Sequence, residues 1–116
     1  MTYVSGFLIP VPKSNKERYT ELAKLSWPLF KEYGAISVQE NWENDVQDGE
    51  TTSFPMAVKR QSDESIVFSW ITWPDKKTAD ACWASFETDP RWEAMKEMPF
   101  DGKRMIFGGF DTIFKA

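Results

Sequence analysis

Residues 65–74, SIVFSWITWP, are the one run in the chain that is apolar at both odd and even positions. β-Branched and aromatic side chains dominate it, and Ser69 and Thr72 are small enough to bury with a hydrogen bond. The pattern predicts a central strand with no exposed face. Residues 3–11 read as a first strand running into Pro10 and Pro12, with Gly6 permitting a close approach at its middle. Ser14-Asn15-Lys16-Glu17 has the form of a capping box, after which Tyr19, Leu22, Ala23, Trp27, Phe30 and Tyr33 recur at threes and fours. A helix is expected there, ended by Gly34, with a kink or a break at Pro28, which lacks an amide donor and crowds the carbonyl of Lys24.

Residues 35–42 alternate, with Ile36, Val38, Glu40 and Trp42 on one side, and predict a half-buried second strand. Residues 43–53 turn polar, and Asp48-Gly49 is a turn signal. Residues 54–59 read as a short strand or arm that Pro55 keeps out of the centre of a sheet. Pro74-Asp75 caps a second helix, whose Ala79, Cys82, Trp83 and Phe86 form a single apolar stripe. Asp89-Pro90 opens a shorter helix carrying Trp92 and Met95. After a turn at Asp101-Gly102, residues 105–110 predict a last strand in which Gly108-Gly109 signals a bulge or a close contact.

The order strand, helix, strand, strand, helix, strand belongs to the α+β class, as the ferredoxin-like split βαβ fold with an antiparallel sheet. Residues 1–116 are expected to form a single domain, with the third strand between the first and second and both helices on one sheet face. Aromatic residues make up 16% of the chain, six of them Trp, more than one covered face can hide. The second face is therefore expected to pack on another copy, giving a homodimer.

The formal net charge is −4 and the pI about 4.8, with acidic and basic residues interleaved. This opposes binding to nucleic acid or to an anionic membrane, although sheet aromatics could stack on single-stranded RNA. One Cys excludes an internal disulfide, and no leader-like or membrane-spanning run is present, so a cytoplasmic location is expected. The chain has no His, which removes the commonest general base, haem ligand and transition-metal ligand. No phosphate loop, paired-Cys motif or nucleophile elbow occurs, and neither a cofactor nor a metal is expected.

Four segments carry a resemblance. Tyr3-Val4-x-Gly6-Phe7 with Pro10-Val11-Pro12, Phe30-Lys31-Glu32-x-Gly34-Ala35, and Phe68-Ser69-Trp70-Ile71 followed by Pro74-Asp75-Lys76 are the first three. The fourth runs from Met98-Pro99-Phe100-Asp101-Gly102-Lys103-Arg104 through Met105-Ile106 to Gly108-Gly109-Phe110. Together they resemble the YbaA-like family of small, uncharacterised bacterial proteins over nearly the whole chain. The resemblance implies a dimeric α+β barrel, a fold shared with monooxygenases of antibiotic biosynthesis and with haem-degrading and chlorite-removing enzymes, and implies no activity. The chain departs from the family's pattern at Asn41, where Cys often precedes the Trp, so thiol chemistry is absent at that position.

Glu40 is the candidate catalytic residue, because alternation places its carboxylate beside Ile36, Val38 and Trp42, where apolar walls would raise its pKa. The alternative is an exposed strand end, or a pair with Lys59 or Arg104. Trp42, Trp70 and Trp73, with Tyr3 and Phe107, could line an aromatic cavity, or form a dimer core, as interface aromatics commonly do. Lys103-Arg104 could hold an anion or simply follow a hairpin turn. Asp45, Asp48 and Glu50 lack the ordered spacing of a calcium loop, and Cys82 falls in a core stripe. Two classes of function fit: a small partly aromatic molecule bound or transformed in a sheet–helix cleft with Glu40 and Arg104 as polar contacts, or a non-catalytic dimeric module binding a protein partner.

Overall fold

A computed structural model describes residues 1–116. Strands β1 (Tyr3–Pro12), β2 (Ser37–Trp42), β3 (Glu64–Trp73) and β4 (Ile106–Asp111) form one antiparallel sheet in the order β2-β3-β1-β4. Helices α1 (Lys16–Glu32) and α3 (Lys76–Ser85) follow β1 and β3, and a five-residue helix α2 (Phe54–Val58) is inserted before β3. This is the ferredoxin-like split βαβ arrangement, with β3 central as the apolar run required.

The register assigns each residue to a face. Tyr3, Ser5, Phe7, Ile9 and Val11 of β1 share one face with Val67, Ser69, Ile71 and Trp73 of β3. Leu29 of α1 and Ala79 and Cys82 of α3 pack there against Ile71, Trp73 and Trp92, while Tyr19 packs against Ile9, Val11 and Val67. Buried indoles need a partner for their N–H. Trp73 donates to the Ser5 hydroxyl (3.1 Å), and Trp92, from the 3-10 turn Pro90–Met95, donates to Ser85 (2.9 Å). No buried side-chain polar atom is left without a partner.

The other face is covered only at one end. Val58 of α2 closes over Leu8 and Ile66, while Phe68, Ile106 and Phe110 are exposed at 47%, 45% and 60%. The expectation that β3 has no exposed face thus fails within the protomer: both long helices lie on the opposite side, and α2 reaches only the start of the strand.

Local signals fared unevenly. The Asp75 carboxylate accepts from the Thr78 amide (2.8 Å) and hydroxyl (2.7 Å), capping α3, and Asp89 caps the turn before Trp92 by accepting from the Arg91 amide. Gly34, at φ 106°, ends α1 in a Schellman motif, with its amide on Lys31 (3.0 Å) and that of Ala35 on Phe30 (3.1 Å). A Cβ at Gly109 would lie 1.6 Å from the Tyr3 hydroxyl oxygen, the close contact that the paired glycines signalled. The capping box does not form. Residues 13–15 make a 3-10 turn instead, and the Asn15 side chain donates to the Pro99 carbonyl (3.0 Å). Nor does Pro28 break α1, which runs from Lys16 to Glu32 through it, with Lys24 and Pro28 both at exposed positions. Residues 54–58 are helical, not extended: Ser53 caps the Met56 amide (3.0 Å), and Pro55 sits in the first turn, where a missing N–H costs nothing.

Candidate functional site

Tyr19, Leu22, Ala23, Ser26, Trp27 and Phe30 succeed one another at helical spacing along the sheet-facing side of α1. They do not seat fully on the strands. Between them and the sheet lies a cavity of about 390 Å³, floored by Ser5, Phe7, Ile9, Ser69 and Ile71 and closed by Trp83, Phe86 and Trp92. Its size and apolar walls with few polar groups suit a small organic molecule.

Two carboxylates line that cavity: Asp80 of α3, which pairs with Lys76 (2.6 Å), and Glu40 of β2. The alternation of β2 turns Val38, Glu40 and Trp42 toward the helices, and Glu40 lies directly opposite Ser69. The Tyr19 hydroxyl donates a hydrogen bond to the Glu40 carboxylate. Burial raises the Glu40 pKa above its ordinary value, opposed by hydrogen bonds from Tyr19 and Ser69. Glu40 keeps solvent access along the open edge of β2, which limits that rise. Burial, followed by the adjacent carboxylate, pushes the Tyr19 pKa far upward, so the phenol remains a donor. A carboxyl of elevated proton affinity, held by a phenol at an apolar wall, can take a proton from a bound molecule or return one. Its partner is Tyr19, neither Lys59 nor Arg104.

A second chamber of about 410 Å³ adjoins the first and shares Tyr19, Ala23, Trp27, Val38 and Glu40 with it. Trp42 lines this second space, with the Lys16 ammonium 5.3 Å from its ring centre. The three tryptophans expected around one cavity are therefore separated within the protomer. Trp73 is fully buried behind the main cavity, and Trp70 lies on the opposite sheet face, beside Phe68. Tyr3 and Phe107 do line the main cavity.

Arg104 is not brought to Glu40. Its guanidinium forks onto Glu64 (2.7 and 2.6 Å), and it also donates to Asp101 (3.0 Å) and to the Lys59 carbonyl (2.9 Å). The anion that Arg104 holds is the protein's own Glu64, whose pKa it lowers. The acidic loop is likewise engaged internally, since Asp48 pairs with Arg60 (3.3 Å) and Asp45 accepts from Gln47 (3.0 Å). Cys82 is buried and its thiol is pushed up to about 12 by desolvation, which leaves it inert.

Tyr19, Ser26, Trp27 and Trp83 were not singled out as site residues, because their spacing reads equally well as core. One signal did exist: a Tyr in an apolar stripe brings a hydroxyl that needs a partner when buried.

Residues 2–102 match the family described as proteins of unknown function, DUF1428. The chain belongs to that family. It is 50% identical over 114 residues to the uncharacterised protein YbaA of Escherichia coli K12, with 97% of each chain covered. An uncharacterised YbaA protein from Shigella flexneri matches to the same extent, 50% over 114 residues. The resemblance to a YbaA-like family is thereby established. Among solved structures, a dimeric ferredoxin-like protein from an uncultured marine organism aligns over 99% of this chain and 98% of its own at TM-score 0.60 and 10% identity. A NIPSNAP domain protein from Burkholderia xenovorans aligns over 98% of both chains at TM-score 0.56 and 13% identity. SnoaB, a cofactor-independent oxygenase from Streptomyces nogalater, aligns over 98% of this chain and 95% of its own at TM-score 0.53 and 14% identity. At these identities the likeness concerns the fold. No helix of this DUF1428 member is long and apolar enough to cross a membrane.

Proposed function

We propose that this protein is a cytoplasmic homodimer that binds, and through Glu40 transforms by proton exchange, a small partly aromatic molecule in the cavity between sheet and helices. The observation that carries this reading is the apolar cavity of about 390 Å³ with the Tyr19–Glu40 pair in its wall. No cofactor is required for proton transfer to or from a bound molecule. The description of SnoaB as a cofactor-independent oxygenase supports the reading by analogy of fold only. Of the other residues expected at the site, Trp42 lines the adjoining chamber, Trp70 is assigned to the dimer face, and Trp73 and Arg104 to the scaffold. The dimer reading is supported by the aromatic open face and by the structural neighbour described as dimeric.

A thermal-shift screen against a metabolite library tests the ligand. A molecule at a hundredfold excess over its Kd stabilises by about 2.7 kcal/mol, so reproducible stabilisation by flat apolar compounds is expected. Silence across the library would sink the reading and favour a protein-binding module. That second reading is supported by Phe107, Ile113 and Phe114, exposed at 72%, 90% and 82% along and beyond β4.

A further inference from the structure

The two chambers differ in chemistry although they share walls. The main cavity is bounded chiefly by apolar side chains, its charged members being the carboxylates Glu40 and Asp80, the latter paired with Lys76, whereas the adjoining one is flanked by Lys16, Thr20 and Lys24, which stand at i, i+4 and i+8 along α1. Asn41 and Trp42 of β2 form its opposite side, and Glu40 is its one carboxylate. Two ammonium groups on one chamber in a chain of net charge −4 are a local reversal of sign. Both lysines belong to flexible stems whose heads can swing over the opening while their methylenes cover apolar wall. Lys16 already does so, with its ammonium over the Trp42 ring at 5.3 Å.

We propose that the ligand is an amphipathic organic anion, whose flat apolar body occupies the main cavity and whose carboxylate or sulfonate head projects past Glu40 toward Lys16 and Lys24. The inference rests on the ligand-binding reading above and narrows its substrate class. The Tyr19–Glu40 pair stands where body and head would join, so a proton exchanged there would act on the atoms next to the anionic group. Lys16 and Lys24 bind and orient; they are not catalytic residues.

The test uses two fluorescent probes with one aromatic skeleton: anilinonaphthalene sulfonate, which is anionic, and phenylnaphthylamine, which lacks the sulfonate. Both are expected to bind the intact protein, the sulfonate more tightly. The double variant Lys16→Gln, Lys24→Gln should weaken the sulfonate roughly tenfold and leave the neutral probe unchanged. Ala23→Phe, at the shared wall, should abolish both, with Val38→Phe from the facing strand as the substitute if that variant does not fold. If both probes bind and the lysine variant treats them alike, the anionic end is wrong while the cavity reading stands. If neither probe binds, or filling the shared wall changes nothing, the cavity reading falls and takes this inference with it.

Discussion

On β3, Val67, Ile71 and Trp73 are buried against the helices, while Phe68, the neighbour of Val67, is 47% exposed. The two sheet faces are thus equally apolar in sequence and unequal in cover. On the helix face the chain supplies its own lid, and large side chains meet at angles: Phe30 lies 4.9 Å from Trp92 and 5.9 Å from Trp83, ring centre to ring centre. A cavity remains between these rings and the sheet. On the open face Phe68 and Trp70 meet edge to face at 5.3 Å, with only α2 at one end. The difference teaches that an apolar strand face states a need for cover without stating what provides it.

The largest effect that could break this contrast comes from matched Trp truncations. Trp73→Ala should cost about 3–5 kcal/mol in urea unfolding, because it removes a fully buried ring and orphans Ser5, whereas Trp70→Ala should cost well under half of that. Equal losses would mean the two faces are equally structural. Next is Arg104→Met. Arg104 ties the end of α2, through the Lys59 carbonyl, to Glu64 at the start of β3, so it secures the covered end of the open face. Leaving the buried Glu64 without its partner should cost about 3 kcal/mol. The pH dependence carries a sign. The folded pKa of Glu64 is lowered, so its contribution is complete above the unfolded value of about 4.3 and is lost as the pH falls through the folded one. The gap between wild type and variant should therefore narrow below about pH 4, and a gap that widens there would contradict the assignment.

A smaller effect on the protomer is expected from Trp70→Ser with Phe110→Ser. These changes should alter protomer stability by no more than about 1 kcal/mol, yet shift light-scattering mass to the 13.5 kDa of a single chain. A mass that is the same with and without them would remove the open face from the interface. The smallest effect is Glu40→Gln. Because burial raises the folded pKa of Glu40, ionisation at neutral pH opposes folding, and the contribution of the protonated form is present below the unfolded value and lost as the pH rises through the folded one. Removing the charge should slightly raise Tm at pH 7, with no difference below about pH 4. A lower Tm at pH 7 would show that the hydrogen bonds to the ionised carboxylate outweigh its burial, against the raised pKa.

Much of the architecture was legible from side-chain periodicity alone. The position of β3 between its neighbours followed from a run apolar at consecutive residues, the capping of α3 from Asp75, and the end of α1 from Gly34, since each depends on residues a few positions apart. Where local signals misled, a distant contact had won. Asn15 is held by Pro99, which spoils the capping box at Ser14, and residues 54–58 take the helical form that Ser53 and Pro55 favour once Val58 can pack on Leu8 and Ile66.

By itself the sequence determined the fold class, the central place of β3, the absence of histidine chemistry and the placing of Glu40 on one strand side with Val38 and Trp42. These are consequences of periodicity and composition. Only the tertiary structure decided that Tyr19 is the partner of Glu40, that Arg104 is committed to Glu64, that Trp42, Trp70 and Trp73 stand in three different surroundings, and that the helix face retains an apolar cavity. Periodicity tells which side of an element a residue occupies. Pairing across elements and the volume left between them depend on how α1 and α3 seat on the sheet, a matter of side-chain shape in three dimensions that no spacing along the chain records.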